Sequence, residues 1–131
     1  MKNSTWSGRF KKGLDKQVLE FSESVSIDHL LFDSDIRVSL AHAEMLGECK
    51  IITKTEAKKL CKGLQQVKKK YYEGKLSLSI KHEDVHMNIE QALTKEVGEL
   101  GKKIHMGRSR NDLVATDFRL YLRDCADLVL A

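Results

Sequence analysis

Proline is absent from all 131 residues, where average usage would give about six, so no helix is interrupted by that route. Aromatics are scarce at 6%, and no apolar run approaches the roughly 20 residues needed to cross a bilayer as a helix. A helical membrane span is excluded. Cysteines number three, Cys49, Cys61 and Cys125, with no C-x-x-C pair and no secretory signal ahead of them. That pattern excludes a disulfide framework and predicts a reducing, cytoplasmic setting. Neither sign of charge dominates: the net value is +4, with much of the excess in Lys68, Lys69, Lys70, Lys102 and Lys103 and no interleaved aromatics. Solvated helix ends follow from that distribution, and a nucleic-acid surface does not.

What remains is 41% hydrophobic and 32% charged, the composition of a soluble globular chain, and its apolar residues recur at helical spacing. The expected fold class is all-α. "WSGRFKKG" lacks periodicity, and residues 1–14 read as an extended arm with Trp6 and Phe10 as anchors. A short helix is expected from Asp15 to Phe21, with Leu14, Val18 and Phe21 at helical spacing, before "SESVS" interrupts it. One or two helices follow from Ile27 to Cys49, carrying Leu30, Leu31, Ile36, Leu40, Ala43 and Leu46, with a break near 33–35. Thr53 and Glu56 form a capping box for a helix that buries Ala57, Leu60, Leu64 and Val67 and ends at Gly74. "KLSLSI" alternates like a short strand but shows no partner strand, so strand and loop both stand. A helix from about Glu83 to Val97 stops at Gly98, and "ELGKKIHMG" reads as a loop. The last helix starts at Ser109 with a broad apolar face of Val114, Phe118, Tyr121, Leu122, Cys125, Leu128 and Val129. It reaches "DLVLA" with no glycine, proline or basic last turn, which predicts a fragment whose last helix docks onto further material.

Two stretches carry chemistry. "HEDVH" matches the H-E-x-x-H pattern, in which His82 and His86 on one helix face would hold zinc while Glu83 activates water. A third protein ligand is missing, because Ile89 and Ala92 stand where the extended motif places glycine and histidine, and His105 lies in a loop. Alternatively, Glu83 and Asp84 complement the positive end of a helix. "GRSRND" has a stronger logic. Ser109 and Asp112 have capping spacing at the mouth of a long helix, whose free amides favour a carboxylate or phosphate. Arg108 and Arg110 add bidentate donors and Asn111 an uncharged amide, so the set reads as an anion pocket.

Taken together, "WSGRF", "EDVH" and "GRSRND" running into "VATDFRLYLRD" resemble, in order and spacing, the amino-terminal part of the argininosuccinate lyases of the fumarase and aspartase superfamily. The resemblance covers nearly the whole chain. It implies an all-α amino-terminal domain over residues 15–108 and the start of the first long helix of a central bundle over 109–131. It also implies reversible elimination of argininosuccinate to arginine and fumarate, in the arginine pathway, by a homotetramer whose active sites draw on three subunits. Neither metal nor cofactor is implied, and no membrane or nucleic acid is a partner. By position, Ser24 and Asn111 match residues that bind substrate, Ser109 and Arg110 further contacts to the fumarate half, and Asp28 and Asp84 partners of the cationic half. His86 becomes a member of the active-site wall. The catalytic acid and base are expected downstream of Ala131, so this segment alone is expected to be inactive. Met106 stands where the family has threonine, Leu113 where it commonly has glutamine, and Ser7 where it has glycine. Two other readings are weighed beside this one: a crystallin-like structural homologue without activity, and a small zinc hydrolase using His82 and His86.

Overall fold

The computed structural model describes residues 15–131; the expected arm, with Trp6, Ser7 and Phe10, lies outside them. All regular structure among the described residues is helical, in accord with the sequence expectation. Helix α1 spans Lys16–Ser22, capped by the Asp15 carboxylate, which accepts the Gln17 N–H at 2.9 Å. It buries none of its residues. Only Glu23 and Ser24 interrupt before α2, Val25–Asp28, which passes through a 3-10 turn at His29–Leu31 into α3, Phe32–Glu48. The break expected near 33–35 therefore sits at 29–31. Asp33 and Asp35 do not end a helix; they occupy the first turn of α3, where carboxylates complement the positive end of the peptide dipoles.

Helix α4, Lys54–Tyr72, begins as the sequence requires: the Thr53 hydroxyl accepts the Glu56 N–H at 3.2 Å and Glu56 accepts the Thr53 N–H at 2.8 Å. It runs antiparallel to α3, since Gly47 near the end of α3 abuts Ala57 near the start of α4, and Phe32 stacks on Tyr71 with ring centroids 3.9 Å apart. Helix α5, Val85–Val97, closes the core against both, and Ile36, Leu46, Leu60, Leu64, Val85 and Leu93 are wholly buried among the three. Such a core supplies most of the stabilisation, at about 1.5–3 kcal/mol per fully buried aliphatic side chain.

"KLSLSI" forms no strand; it leads to a 3-10 turn at Ile80–His82. The reason lies in Asn88 of α5, whose carboxamide accepts the Ser79 N–H at 2.8 Å and donates to the Ser79 carbonyl at 3.1 Å. One side chain thus takes the place of a partner strand. Gly98, at φ +73, ends α5 as expected, but the following stretch is a 3-10 helix, Gly98–His105, rather than a loop. It lies so close to α5 that a Cβ on Gly101 would come within 2.7 Å of Thr94 Cα and 2.8 Å of Thr94 N. Backbone has no rotamer by which to yield. Gly101→Ala is therefore expected to cost about 1–3 kcal/mol, read as a lowered thermal midpoint.

Helix α6, Arg110–Leu130, packs on α3 with an unexpected face. Its buried residues are Leu113 and Asp117, and Asp124 reaches Arg37 of α3 at 2.6 Å. Among the described residues, Val114, Phe118, Leu122, Leu128 and Val129 of the apolar stripe remain exposed.

Candidate functional site

The site is assembled where α2, α3, α5 and α6 begin or meet, and the "HEDVH" stretch is its hinge. His82 closes the 3-10 turn, and Glu83 then takes φ 64 and ψ −58 while the Asp84 N–H donates to the His82 carbonyl at 2.6 Å. Those values define a γ-turn, a rare and strained conformation for a residue with a side chain. The expected helix start at Glu83 is corrected to Val85. His82 and His86 consequently lie on different elements, and the single helix face that the zinc reading needs does not exist. The described side chains whose ligating atoms do converge, within 4.8 Å of one another, are Asp35, His86 and Asp117, without His82.

The γ-turn gives the Glu83 carbonyl to α2, where it accepts the Ser24 and Val25 N–H groups at 2.8 and 3.1 Å. Asp28 reinforces the joint: one oxygen accepts the Ser24 hydroxyl at 2.6 Å and the other the Val85 N–H at 3.0 Å. Asp84 caps α5, accepting the Met87 N–H at 2.7 Å, and turns its second oxygen to Arg110 Nε at 3.3 Å. Ser24, Asp28, Asp84 and Arg110 are thus joined in one polar chain. Both aspartates already serve the protein through each oxygen, although a carboxylate has about four acceptor sites and keeps capacity for a ligand.

At the mouth of α6, Ser109 and Asp112 form the expected capping box, with Asp112 accepting the Ser109 N–H at 3.1 Å and Ser109 accepting the Asn111 N–H at 3.2 Å. Ser109 and Asn111 are exposed, not packed away. The approach to this turn is pinned by His42 of α3, whose Nε2–H donates to the Met106 carbonyl at 2.9 Å. Because the carbonyl rather than the side chain makes that bond, any residue at position 106 can supply it, and the Met106 side chain itself is exposed.

Beneath the mouth lies a polar cluster enclosed by the core. His86 and Asp35 are each less than 5% exposed and Asp117 is at 0%. His86 Nδ1 stands 2.5 Å from Asp35 Oδ2 and 3.4 Å from Asp117. Ser39 donates to the other Asp35 oxygen at 2.9 Å and accepts from Arg108 at 3.1 Å. Arg108 Nε and Nη1 and both Asp117 oxygens have no hydrogen-bond partner among the described residues. A small cavity lined by Asp35, Ser39, His86, Arg108, Arg110 and Leu113 joins the cluster to the α6 mouth.

Burial pushes the His86 imidazole down, but its hydrogen bond to Asp35 and the charges of Asp35 and Asp84 outweigh burial and Arg110, so the net shift is upward. Burial, with the Asp35 charge, pushes the Asp117 carboxyl up to about 7 against His86 and Arg108. Burial also pushes the Arg108 guanidinium down, opposed by both aspartates. One guanidinium therefore faces two enclosed carboxylates, and it supplies the positive charge that a cation bound at this cluster would otherwise bring.

The structure thus brings His86, Asp84 and Arg110 to one place, links Ser24 and Asp28 to it through Glu83 and Val85, and leaves Ser109 and Asn111 open at the helix mouth. Asp35, Ser39, Asp117 and Arg108 complete the cluster. Of these only Arg108 stood out in the sequence. Asp117 carried one signal: it falls four residues after Leu113, on the inward stripe of α6.

A family model described as Lyase matches residues 8–131. Among curated proteins, the chain is 48% identical over 126 residues to the argininosuccinate lyase of Nitrosococcus oceani, covering 96% of this chain and 27% of that protein. It is 48% identical over 124 residues to that of Heliobacterium mobile, covering 95% of this chain and 27% of the relative. For the argininosuccinate lyase of Legionella pneumophila the identity is 47% over 130 residues, covering 98% and 32% respectively. The chain spans about a quarter to a third of the length of these relatives, 27% to 32%.

Proposed function

The chain belongs to the lyase family, and from that premise we propose that it is the substrate-binding amino-terminal part of an argininosuccinate lyase, which reversibly releases fumarate from argininosuccinate and leaves arginine. The observation that carries this reading is the open mouth of α6, where Ser109 and Asn111 stand exposed and Arg110 lines the same cavity as His86. Elimination of a carbon-bound proton next to a carboxylate builds negative charge on that carboxylate in the transition state. Fixed dipoles and a guanidinium stabilise such charge far better than water, because they need no reorganisation as it develops.

In this reading Ser109, Arg110 and Asn111 hold the fumarate half, Ser24 lies at the α2 edge of the same site, and Asp28 and Asp84 meet the cationic half. His86 lines the wall between them. The catalytic acid and base come from beyond this segment, in a homotetramer of the cytoplasmic arginine-biosynthetic pathway. Two observations are in keeping with that setting: the exposed apolar stripe of α6, and the lack of any helix among the described residues long and apolar enough to cross a membrane.

The full-length protein encoded with this segment, incubated with argininosuccinate, is expected to release fumarate and arginine in equal amounts. A folded protein that releases neither removes the enzymatic reading and leaves the crystallin-like structural homologue as its replacement.

A further inference from the structure

We propose that Asp35 is a positioning residue that acts through His86: its carboxylate grips the Nδ1–H, held from behind by Ser39, so that the ring presents Nε2–H to an anionic oxygen of the substrate at the mouth of α6. The inference rests on the function proposed above and deepens it.

Three features of the geometry point the same way. First, among the described residues only Nδ1 of the two ring nitrogens has a hydrogen-bond partner, Asp35 at 2.5 Å, with the Asp117 carboxylate a further charged neighbour at 3.4 Å. Nε2 makes no hydrogen bond among the described residues, and His86 lines a small cavity shared with Arg110, which leaves Nε2 as the ring nitrogen that a ligand could engage.

Second, Asp35 is itself immobilised. Ser39 sits four residues along α3, one turn away, and its hydroxyl fixes Oδ1 at 2.9 Å, leaving Oδ2 aimed at the imidazole. Arg108 in turn fixes Ser39 at 3.1 Å. A ring gripped this way has one orientation, which is what a donor aimed at a substrate oxygen requires.

Third, the charges ask for an imidazolium. The titratable and charged groups facing His86 or lining its cavity are Asp35 from α3, Asp84 and Glu90 from α5, His105 and Arg108 from the segment before α6, and Arg110 and Asp117 from α6. Even with Asp117 protonated, the three carboxylates of Asp35, Asp84 and Glu90 face the two guanidinium groups of Arg108 and Arg110, and a proton on Nε2 balances the difference. With Nδ1–H given to Asp35, the second ring nitrogen is a donor only in that protonated form. The upward shift of His86 supports it.

The test is a double-mutant cycle in the full-length protein, with fumarate release as the readout. Asp35→Asn is expected to lower kcat/KM on the order of 30-fold, the loss of one charge-assisted hydrogen bond to the substrate. In a His86→Gln background the same change is expected to do almost nothing, because the residue through which it acts is gone. The alkaline fall of kcat/KM is expected to move to lower pH in Asp35→Asn, since Asp35 is what holds the ring proton. If Asp35→Asn does not fold, Ser39→Ala makes the same comparison by a milder route, with a loss of about 5-fold that also vanishes beside His86→Gln. Equal losses in both backgrounds, or an unmoved pH profile, overturn the inference and leave the proposed function standing. A wild-type protein that releases no fumarate overturns the function, and the inference with it.

Discussion

Replacing Arg108 with methionine is expected to destabilise the protein by about 3–5 kcal/mol at pH 8, read as a large fall in thermal midpoint, although methionine fills much of the same volume. The guanidinium acts on both carboxylates of the cluster formed by Asp35, His86 and Asp117, and reaches it through Ser39, whereas Arg110 is paired with Asp84. Without it, two carboxylates remain in a pocket where neither is exposed to water, Asp35 at 1% and Asp117 at 0%. Arg108 makes no direct ion pair with either carboxylate, but its charge acts on both, and removing it leaves their desolvation uncompensated. The pH dependence carries the diagnosis. At pH 5 Asp117 holds a proton, one carboxylate fewer needs balancing, and His86 can balance the other, so the loss should shrink to about 1–2 kcal/mol. Arg108 also lowers the Asp117 carboxyl, so its removal should make stability fall more steeply with rising pH. An equal loss at both pH values would assign Arg108 a packing role only.

The capping signals in the sequence translated directly into structure. Thr53 with Glu56 and Ser109 with Asp112 close capping boxes because a hydroxyl and a carboxylate three residues apart satisfy free amides by local geometry alone. Gly98 ends α5 for a similar local reason, at a positive φ that costs glycine little. Features made by contacts distant in sequence were not legible. "HEDVH" has the letters of a helical zinc motif, and what prevents that helix is the Glu83 carbonyl being drawn to Ser24 and Val25, some 58 or 59 positions earlier in the numbering.

The same distinction explains α6. Its apolar stripe is the conspicuous face in sequence, yet toward α3 the helix turns Leu113, Asp117 and Asp124. A mostly polar inward face is stable only where partners wait on the other side, here Arg37, His86 and Arg108, and those partners sit on three different segments. Asp35, which the sequence places only in a helix break near 33–35, goes unnoticed for the opposite reason. As an acid in the first turn of a helix it has a sufficient local explanation, which hides its second role as the partner of His86. The candidate site was thus visible at its open mouth, where capping and anion chemistry are local, and hidden beneath it.

Asp117→Asn is expected to flatten the dependence of stability on pH and to leave the protein more stable than wild type at pH 8. The folded-state carboxyl keeps its proton up to about pH 7, whereas an unfolded aspartate gives it up near 3.9. Between those values the native state binds the extra proton, so wild-type stability should fall as pH rises from about 4 to about 7, by about 2–4 kcal/mol. His86 adds a decline of the same sign, since its pKa is raised: its contribution is whole below the unfolded value and is lost as pH passes the folded one. Asparagine keeps the shape of Asp117 but has nothing to ionise, and its carboxamide can accept from Arg108 while donating to Asp35. The slope below pH 7 should then largely disappear, leaving the portion due to His86, and at pH 8 the variant should exceed wild type by about 1–3 kcal/mol. Near pH 5, where Asp117 is already neutral, the two proteins should differ little. Thermal midpoints measured across pH 5 to 8 decide the matter: parallel curves for variant and wild type would mean that Asp117 stays ionised in the folded protein, and that the charge balance assigned to this cluster is wrong.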